Sequence, residues 1–152
     1  MPDNLDSFDR KILAELARNG RITVVDLARR VGLSKTPCLA RMRRLEKTGY
    51  ILGYGAHLDH NRLGTGHVAF VQVTLDDTRT AALDAFNTAA RALREVEECH
   101  MIAGSFDYLL KIRTRDIAAY RRILGEEISA LPHVSHTSTF VAMECVKESG
   151  RT

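Results

Sequence analysis

One stretch near the N-terminus, TVVDLARRVGLSKTPCLARMRRLEK (Thr23 to Lys47), constrains the fold of this chain more than any other. Val24, Leu27, Ala28 and Val31 recur at the spacing that gathers apolar side chains on one face of a helix. Thr23 can cap that helix, and Asp26 at its third position favours the positive end of the helix dipole. Gly32 then breaks the pattern. Ser34 can cap a second helix whose first turn holds Lys35, Thr36 and Pro37, proline being tolerated where amides lack a partner inside the helix. At about 100° per residue, Cys38, Met42 and Leu45 of this second helix fall in one narrow sector, its buried side. The opposite sector collects Thr36, Ala40, Arg43, Arg44 and Lys47, with Leu39 and Arg41 on its flanks.

A small residue, Ala40, at the centre of a basic face lets the helix approach a surface closely. That is what a helix needs to enter a DNA major groove, with long cationic side chains reaching base edges and phosphates around it. The tight glycine-containing turn ahead of it suits a helix-turn-helix. The alternative is a solvated charged face on an ordinary helical hairpin. Charge distribution bears on the choice. The formal net charge is only +3, but residues 1–50 hold 11 Lys/Arg against 6 Asp/Glu (+5), whereas residues 51–152 hold 11 against 13 (−2). The asymmetry argues for an anionic polymer as the partner of the first third alone. A membrane surface fits less well, because the arginine face lacks a neighbouring apolar stripe with aromatics.

At 152 residues, 45% hydrophobic and 27% charged, the chain has the composition of an ordinary globular protein of one domain or two small ones. No apolar run approaches the length needed to span a bilayer, and the opening MPDNLDSFDRK is polar and acidic, so a cytoplasmic protein is expected. The three cysteines, Cys38, Cys99 and Cys145, lie far apart in apolar-periodic segments. They read as buried free thiols in a reducing compartment rather than disulfides or a zinc site.

Before the helix pair, Leu5, Phe8, Ile12 and Leu16 mark a helix from about Ser7 to Asn19, capped by Asp6 or Ser7 and ended by Gly20. Leu13, Leu16, Leu27, Val31, Leu33, Met42 and Leu45 would form a three-helix core. After Gly49, Tyr50, Ile51, Leu52 and Tyr54 read as an extended segment that would supply a small β wing. Four glycines in 53–66 mark a connector. The expected organisation is a winged helix-turn-helix over 1–53, a hinge over 54–66 and a second domain over 67–152.

That second domain has a different rhythm. His67 to Leu75 alternates as a strand, and Thr78 to Leu93 is helical. Val96 to Ala103 and Phe106 to Thr114 read as strands joined by a hairpin turn at Gly104 and Ser105. Asp116 caps a helix carrying Ile117, Tyr120, Leu124 and Leu131 on one face until Pro132, and Val134 to Val146 is a last strand. The order β-α-β-β-α-β is the ferredoxin-like pattern, which makes the whole chain α+β. Helices on one side of such a sheet leave the other face open. Neither alternating set is fully polar here: Phe70, Gln72 and Thr74 oppose Val71 and Val73, and Tyr108, Leu110 and Ile112 oppose Leu109, Lys111 and Arg113. The uncovered face is therefore a natural self-association surface, giving a homodimer.

Together, LDSFDRKILAELARNGRIT, LARRVGLSKTPCLARMRRLEKTGYI, VEECHMIAGSFDYLLKIRTRD and LPHVSHTSTFVAMECVK resemble the Lrp/AsnC family of transcription regulators over nearly the whole chain. The resemblance is closest to the leucine-responsive branch. It implies a winged helix-turn-helix that binds double-stranded DNA, and a ferredoxin-like domain that dimerises through its sheets, assembles into a larger homo-oligomer (an octamer) and binds an amino acid such as leucine or proline. Ser34, Thr36, Pro37, Leu39, Arg41, Arg43 and Arg44 match the recognition-helix motif, while Lys35 departs from the residue several members carry there. Arg43 or Arg44 would read bases or grip phosphates, with Arg41 and Lys47 more on phosphates.

The effector site implied by the resemblance is the turn between the second and third strands of the second domain: Met101, Ala103, Gly104, Phe106, Asp107 and Tyr108. Thr137, Ser138 and Thr139 of the last strand would join it across a dimer–dimer contact. The chemistry agrees, since backbone amides at a glycine turn suit the carboxylate of an amino acid and Asp107 or turn carbonyls suit its ammonium. Asp107 reads equally as a turn residue satisfying local amides.

Two other chemistries are weaker. Cys99 and His100 are neighbours on a strand and point to opposite faces, so they form no nucleophile–base pair, and no glycine-rich phosphate loop or paired carboxylates suggest an enzyme. His57/His60 and His133/His136 are spaced like metal ligands, but no cysteine cluster completes a tetrahedral site, so no metal and no cofactor beyond the amino acid are expected.

Overall fold

The computed structural model describes residues 5–148, and the chain divides between His57 and Leu58 into two compact units. In the first, α1 spans Ser7–Arg18, α2 Val24–Val31 and α3 Lys35–Lys47. Asp6 opens α1 as a capping box. Its side chain accepts the amides of Phe8 and Asp9, and the Asp9 side chain accepts the amide of Asp6 in return. Thr23 caps α2 through the Asp26 amide, and Gly32 closes α2 at φ 78°, with the Leu33 amide donating back to the Ala28 carbonyl. Ser34 holds the N-cap position of α3 but makes no capping bond with its side chain.

Ile12, Leu27, Cys38 and Leu45, none with exposed surface, form the centre of the helical core with Leu16, Ala28 and Val31. Leu13, Leu33 and Met42 sit at its edge, only partly buried. The expected β wing is a correction. Tyr50 and Ile51 spend their amides on the Leu45 carbonyl, and residues 51–59 form no strand. An extended segment becomes a strand only with a ladder partner, and among the described residues the first unit contains none.

In the second unit, β1 (His67–Leu75), β2 (Val96–Met101), β3 (Tyr108–Thr114) and β4 (Val134–Val141) form one antiparallel sheet in the order β2-β3-β1-β4. With α4 (Thr80–Ala92) and α5 (Ile117–Ile123), this is the expected ferredoxin-like arrangement. Ala69, Val71, Val73, Tyr108, Leu110 and Ile112 turn to the helices, where Phe86, Ala90, Tyr120 and Ile123 cover them.

Several boundaries differ from expectation. The second helix ends at Ile123 and widens into a π-helical turn, Leu124–Ile128, which seats Ile128 in the core while Ile117 is 53% exposed. Gly125, with no Cβ, lies inside this wide turn. The β2–β3 connection is not a two-residue hairpin but the loop 102–107, closed by the Ile102 amide donating to the Asp107 carbonyl. β4 ends at Val141, five residues before the expected Val146. Of the cysteines only Cys38 is buried; Cys99 and Cys145 are exposed.

Candidate functional site

The basic face of α3 is sorted by the structure into two kinds of cation. Ser34, Lys35, Thr36, Pro37, Ala40, Arg43, Arg44 and Lys47 are exposed, and Leu39 and Arg41 are half-buried. Among the described residues, Lys35, Arg43 and Lys47 join no ion pair. Arg41 and Arg44 are different. Arg41 Nη1 donates to Asp6 Oδ2 at 2.6 Å and to Asp9 Oδ1 at 2.8 Å, and Arg44 Nη2 donates to Asp9 Oδ2 at 2.5 Å. The Arg41 guanidinium also lies over the Phe8 ring, 5.5 Å from its centroid.

Asp9 has no exposed surface. Burial pushes its carboxyl up, but hydrogen bonds from Arg44, Arg41 and the Asp6 amide outweigh that and bring it down to about 2. The structure thus distinguishes Arg44 from Arg43, the two residues expected to read bases or grip phosphates, by their partners in the free chain. Arg44 is committed to α1, and Arg43 carries the uncompensated charge. Sequence reading missed Asp9 because helical periodicity assigns a residue to a face without naming its partner. The signal present was a polar residue at an otherwise apolar, inward position of α1.

The loop at the end of β2 holds the second set of candidates. Met101 is 57% exposed, Ala103 and Gly104 are exposed, and Phe106 and Asp107 are half-buried. Tyr108 is a correction. It is 1% exposed, stacks on Phe86 with ring centroids 4.3 Å apart, and lies in the core rather than at the loop surface. Asp107 acts as an extra rung of the ladder: its amide donates to the Val73 carbonyl at 2.9 Å and its Oδ2 accepts the Leu75 amide at 2.7 Å.

The β4 candidates divide between faces. Thr137 and Thr139 pair with the core-facing Val73 and Val71, whereas Ser138 pairs with Gln72 on the open face. Thr139 Oγ1 meets the Tyr120 hydroxyl at 2.5 Å. Within one chain β1 lies between β3 and β4, so the loop and Thr137, Ser138 and Thr139 are not brought together. No group of three or more His, Cys, Asp or Glu side chains among the described residues could hold a metal, His57, His60, His133 and His136 included.

Residues 5–51 match the family description "Winged helix-turn-helix DNA-binding", and residues 68–152 match "Lrp/AsnC ligand binding domain". The chain belongs to the Lrp/AsnC family. The proline dehydrogenase transcriptional activator of Rhizobium radiobacter is 62% identical over 97% of this chain and 95% of its own length. The leucine-responsive regulatory protein of Escherichia coli K12 is 50% identical over 97% and 90%. A transcriptional regulator from Neisseria meningitidis, crystallised as its L-Met complex, superposes with a TM-score of 0.90 at 32% identity, covering 96% of this chain and 94% of its own. This Lrp/AsnC chain is thus a DNA-binding transcription regulator, with an N-terminal helix-turn-helix unit of the winged family, its wing segment forming no strand in the single chain, and a ferredoxin-like ligand-binding domain. No helix among its described residues is long and apolar enough to cross a membrane.

Proposed function

We propose that α3 docks in the major groove of operator DNA and that an amino acid bound at the 102–107 loop alters that docking through the state of assembly. One observation carries the DNA half: Ala40 shares a face of α3 with exposed Arg43 and Lys47, neither of them neutralised by an acid among the described residues, and the exposed Lys35 at the start of the helix is also unpaired. Arg43 is the base-reading or phosphate-gripping cation, and Ser34, Thr36 and Pro37 line the entry of the helix, the exposed Ser34 hydroxyl, which makes no capping bond, being available to a phosphate. Leu39 supports the approach of the helix as a half-buried flank. Anisotropy titrations of labelled duplex at low ionic strength test this. Binding that weakens in Arg43→Ala by about 1–3 kcal/mol at one position, or with a salt slope lower by about one, is expected; a chain that ignores duplex DNA defeats the reading.

The effector half draws support from the loop. Among the described residues the amides of Ala103, Gly104, Ser105 and Phe106 enter no hydrogen bond, and successive free amides suit a carboxylate. Relatives named for leucine response and proline dehydrogenase activation, and a neighbour crystallised with L-Met, point to an amino acid and to control of amino-acid metabolism. The dimer would form through the open sheet face, and further dimers would bring Thr137, Ser138 and Thr139 of one chain to the loop of another, in a particle as large as an octamer. A melting-temperature screen of the twenty amino acids tests the effector, since a ligand that binds only the folded protein raises the midpoint.

A further inference from the structure

Asp6 does two things at once. It caps α1, and its Oδ2 accepts from Arg41 at 2.6 Å with the side chain 46% exposed, against 1% for Asp9. Asp9 already gives Arg41 a buried partner at 2.8 Å, so the second carboxylate is not required to compensate a buried charge. Asp6, Asp9, Arg41 and Arg44 line one open groove with Pro37 and Ala40, the small residues of the α3 face. A carboxylate oxygen held against a guanidinium in such a groove stands where a backbone phosphate oxygen would make the same charge-assisted bond.

We infer that Asp6 is a built-in competitor for DNA phosphate at Arg41: any duplex, whatever its sequence, must displace Asp6 before Arg41 can grip its backbone. This rests on α3 being the DNA-facing helix. Because sequence-independent binding is almost wholly a matter of phosphate contacts, the competitor acts hardest on binding to random DNA. It thereby limits idle occupancy of the chromosome, while the unpaired Arg43 stays available for base edges.

The test uses the full chain and a labelled random-sequence duplex over a salt series. Asp6→Asn is the informative substitution, since asparagine caps a helix as well as aspartate does and α1 keeps its start. The variant is expected to bind the duplex several-fold more tightly, with a salt slope steeper by about one. Removing any negative charge near DNA also tightens binding through the long-range field, so the same change is made in an Arg41→Gln background, or Arg41→Met should Gln unfold. The gain is expected to vanish there, because there is no guanidinium left to release. An equal gain in both backgrounds, or no gain in either while the unmodified protein binds, overturns the inference and leaves the α3 reading intact. Failure of the unmodified protein to bind any duplex overturns that reading and this inference with it.

Discussion

A carboxylate without exposed surface persists at Asp9 because Arg41, Arg44 and the Asp6 amide all donate to it. Held at about 2 against an ordinary 3.8, it binds fewer protons folded than unfolded between those values. Stability from this group is therefore complete above the unfolded value and is lost as pH falls through the folded one. The midpoint of the unmodified protein should drop from pH 4 to pH 2 more than that of Asp9→Asn, with the difference between the two melting curves closing at the acid end. Asp9→Ala, which takes from Arg44 its only carboxylate among the described residues and leaves Arg41 with Asp6 alone, should cost about 2 kcal/mol at neutral pH in denaturant titrations. A second residue-scale expectation concerns Asp107, whose Oδ2 is already spent on the Leu75 amide. Asp107→Asn keeps an acceptor for that amide and removes only the charge. It should weaken amino-acid binding with the melting point nearly unchanged, whereas Asp107→Ala should lower both. Equal melting losses in the two variants would assign Asp107 to the fold alone.

Elements in this chain are separated by backbone signals of unequal visibility. Gly32 ends α2 at φ 78° with nothing within 4 Å of where a Cβ would stand, so the cost of a side chain there is backbone strain alone. Gly32→Ala should lower stability by about 1–2 kcal/mol in denaturant titrations while leaving the α3 residues unaltered. An unchanged midpoint would mean that the turn relaxes. That glycine was legible, as were the three helices and the alternation of β1, because each is a local pattern written in consecutive residues. The Asp9–Arg44 pair, 35 residues apart in sequence, was not legible. Nor was the π-helical turn, where Leu124 and Ile128 fit a helical face as well as a widened one. The wing and the end of β4 were overdrawn for one reason: alternation marks a segment able to join a ladder, and only a neighbouring strand makes it do so. The loop candidates Ala103 and Gly104 were found at the surface, but Tyr108 was not, since one residue further along a strand means the opposite face.

At the scale of the whole molecule, the open face of the sheet is the feature a lone chain leaves unresolved. Phe70 lies between Lys111 of β3 and Phe140 of β4, and Leu109 lies beside Gln72 in the next row. Phe140 is 54% exposed. Towards β2 this apolar strip gives way to charge. Lys111 reaches Glu97 and Glu98 at 3.2 Å each, and Arg113 pairs with Glu97 and with Glu148. An apolar centre beside a polar, internally paired rim is the anatomy of a protein interface, and a face meeting its own copy about a two-fold axis would count Phe140 twice. Phe140→Asp then places two carboxylates in one apolar contact, where neither has a partner. Sedimentation at micromolar concentration should show the unmodified protein as a dimer or larger and Phe140→Asp shifted toward the 17.0 kDa monomer. Asp26→Asn, on α2, should leave assembly unchanged. DNA affinity should fall with the dimer in Phe140→Asp although no residue of α3 has changed, because two recognition helices on one particle bind cooperatively and one alone does not. A variant that stays assembled would move the interface off this face, and one that dissociates yet binds DNA as before would separate assembly from recognition.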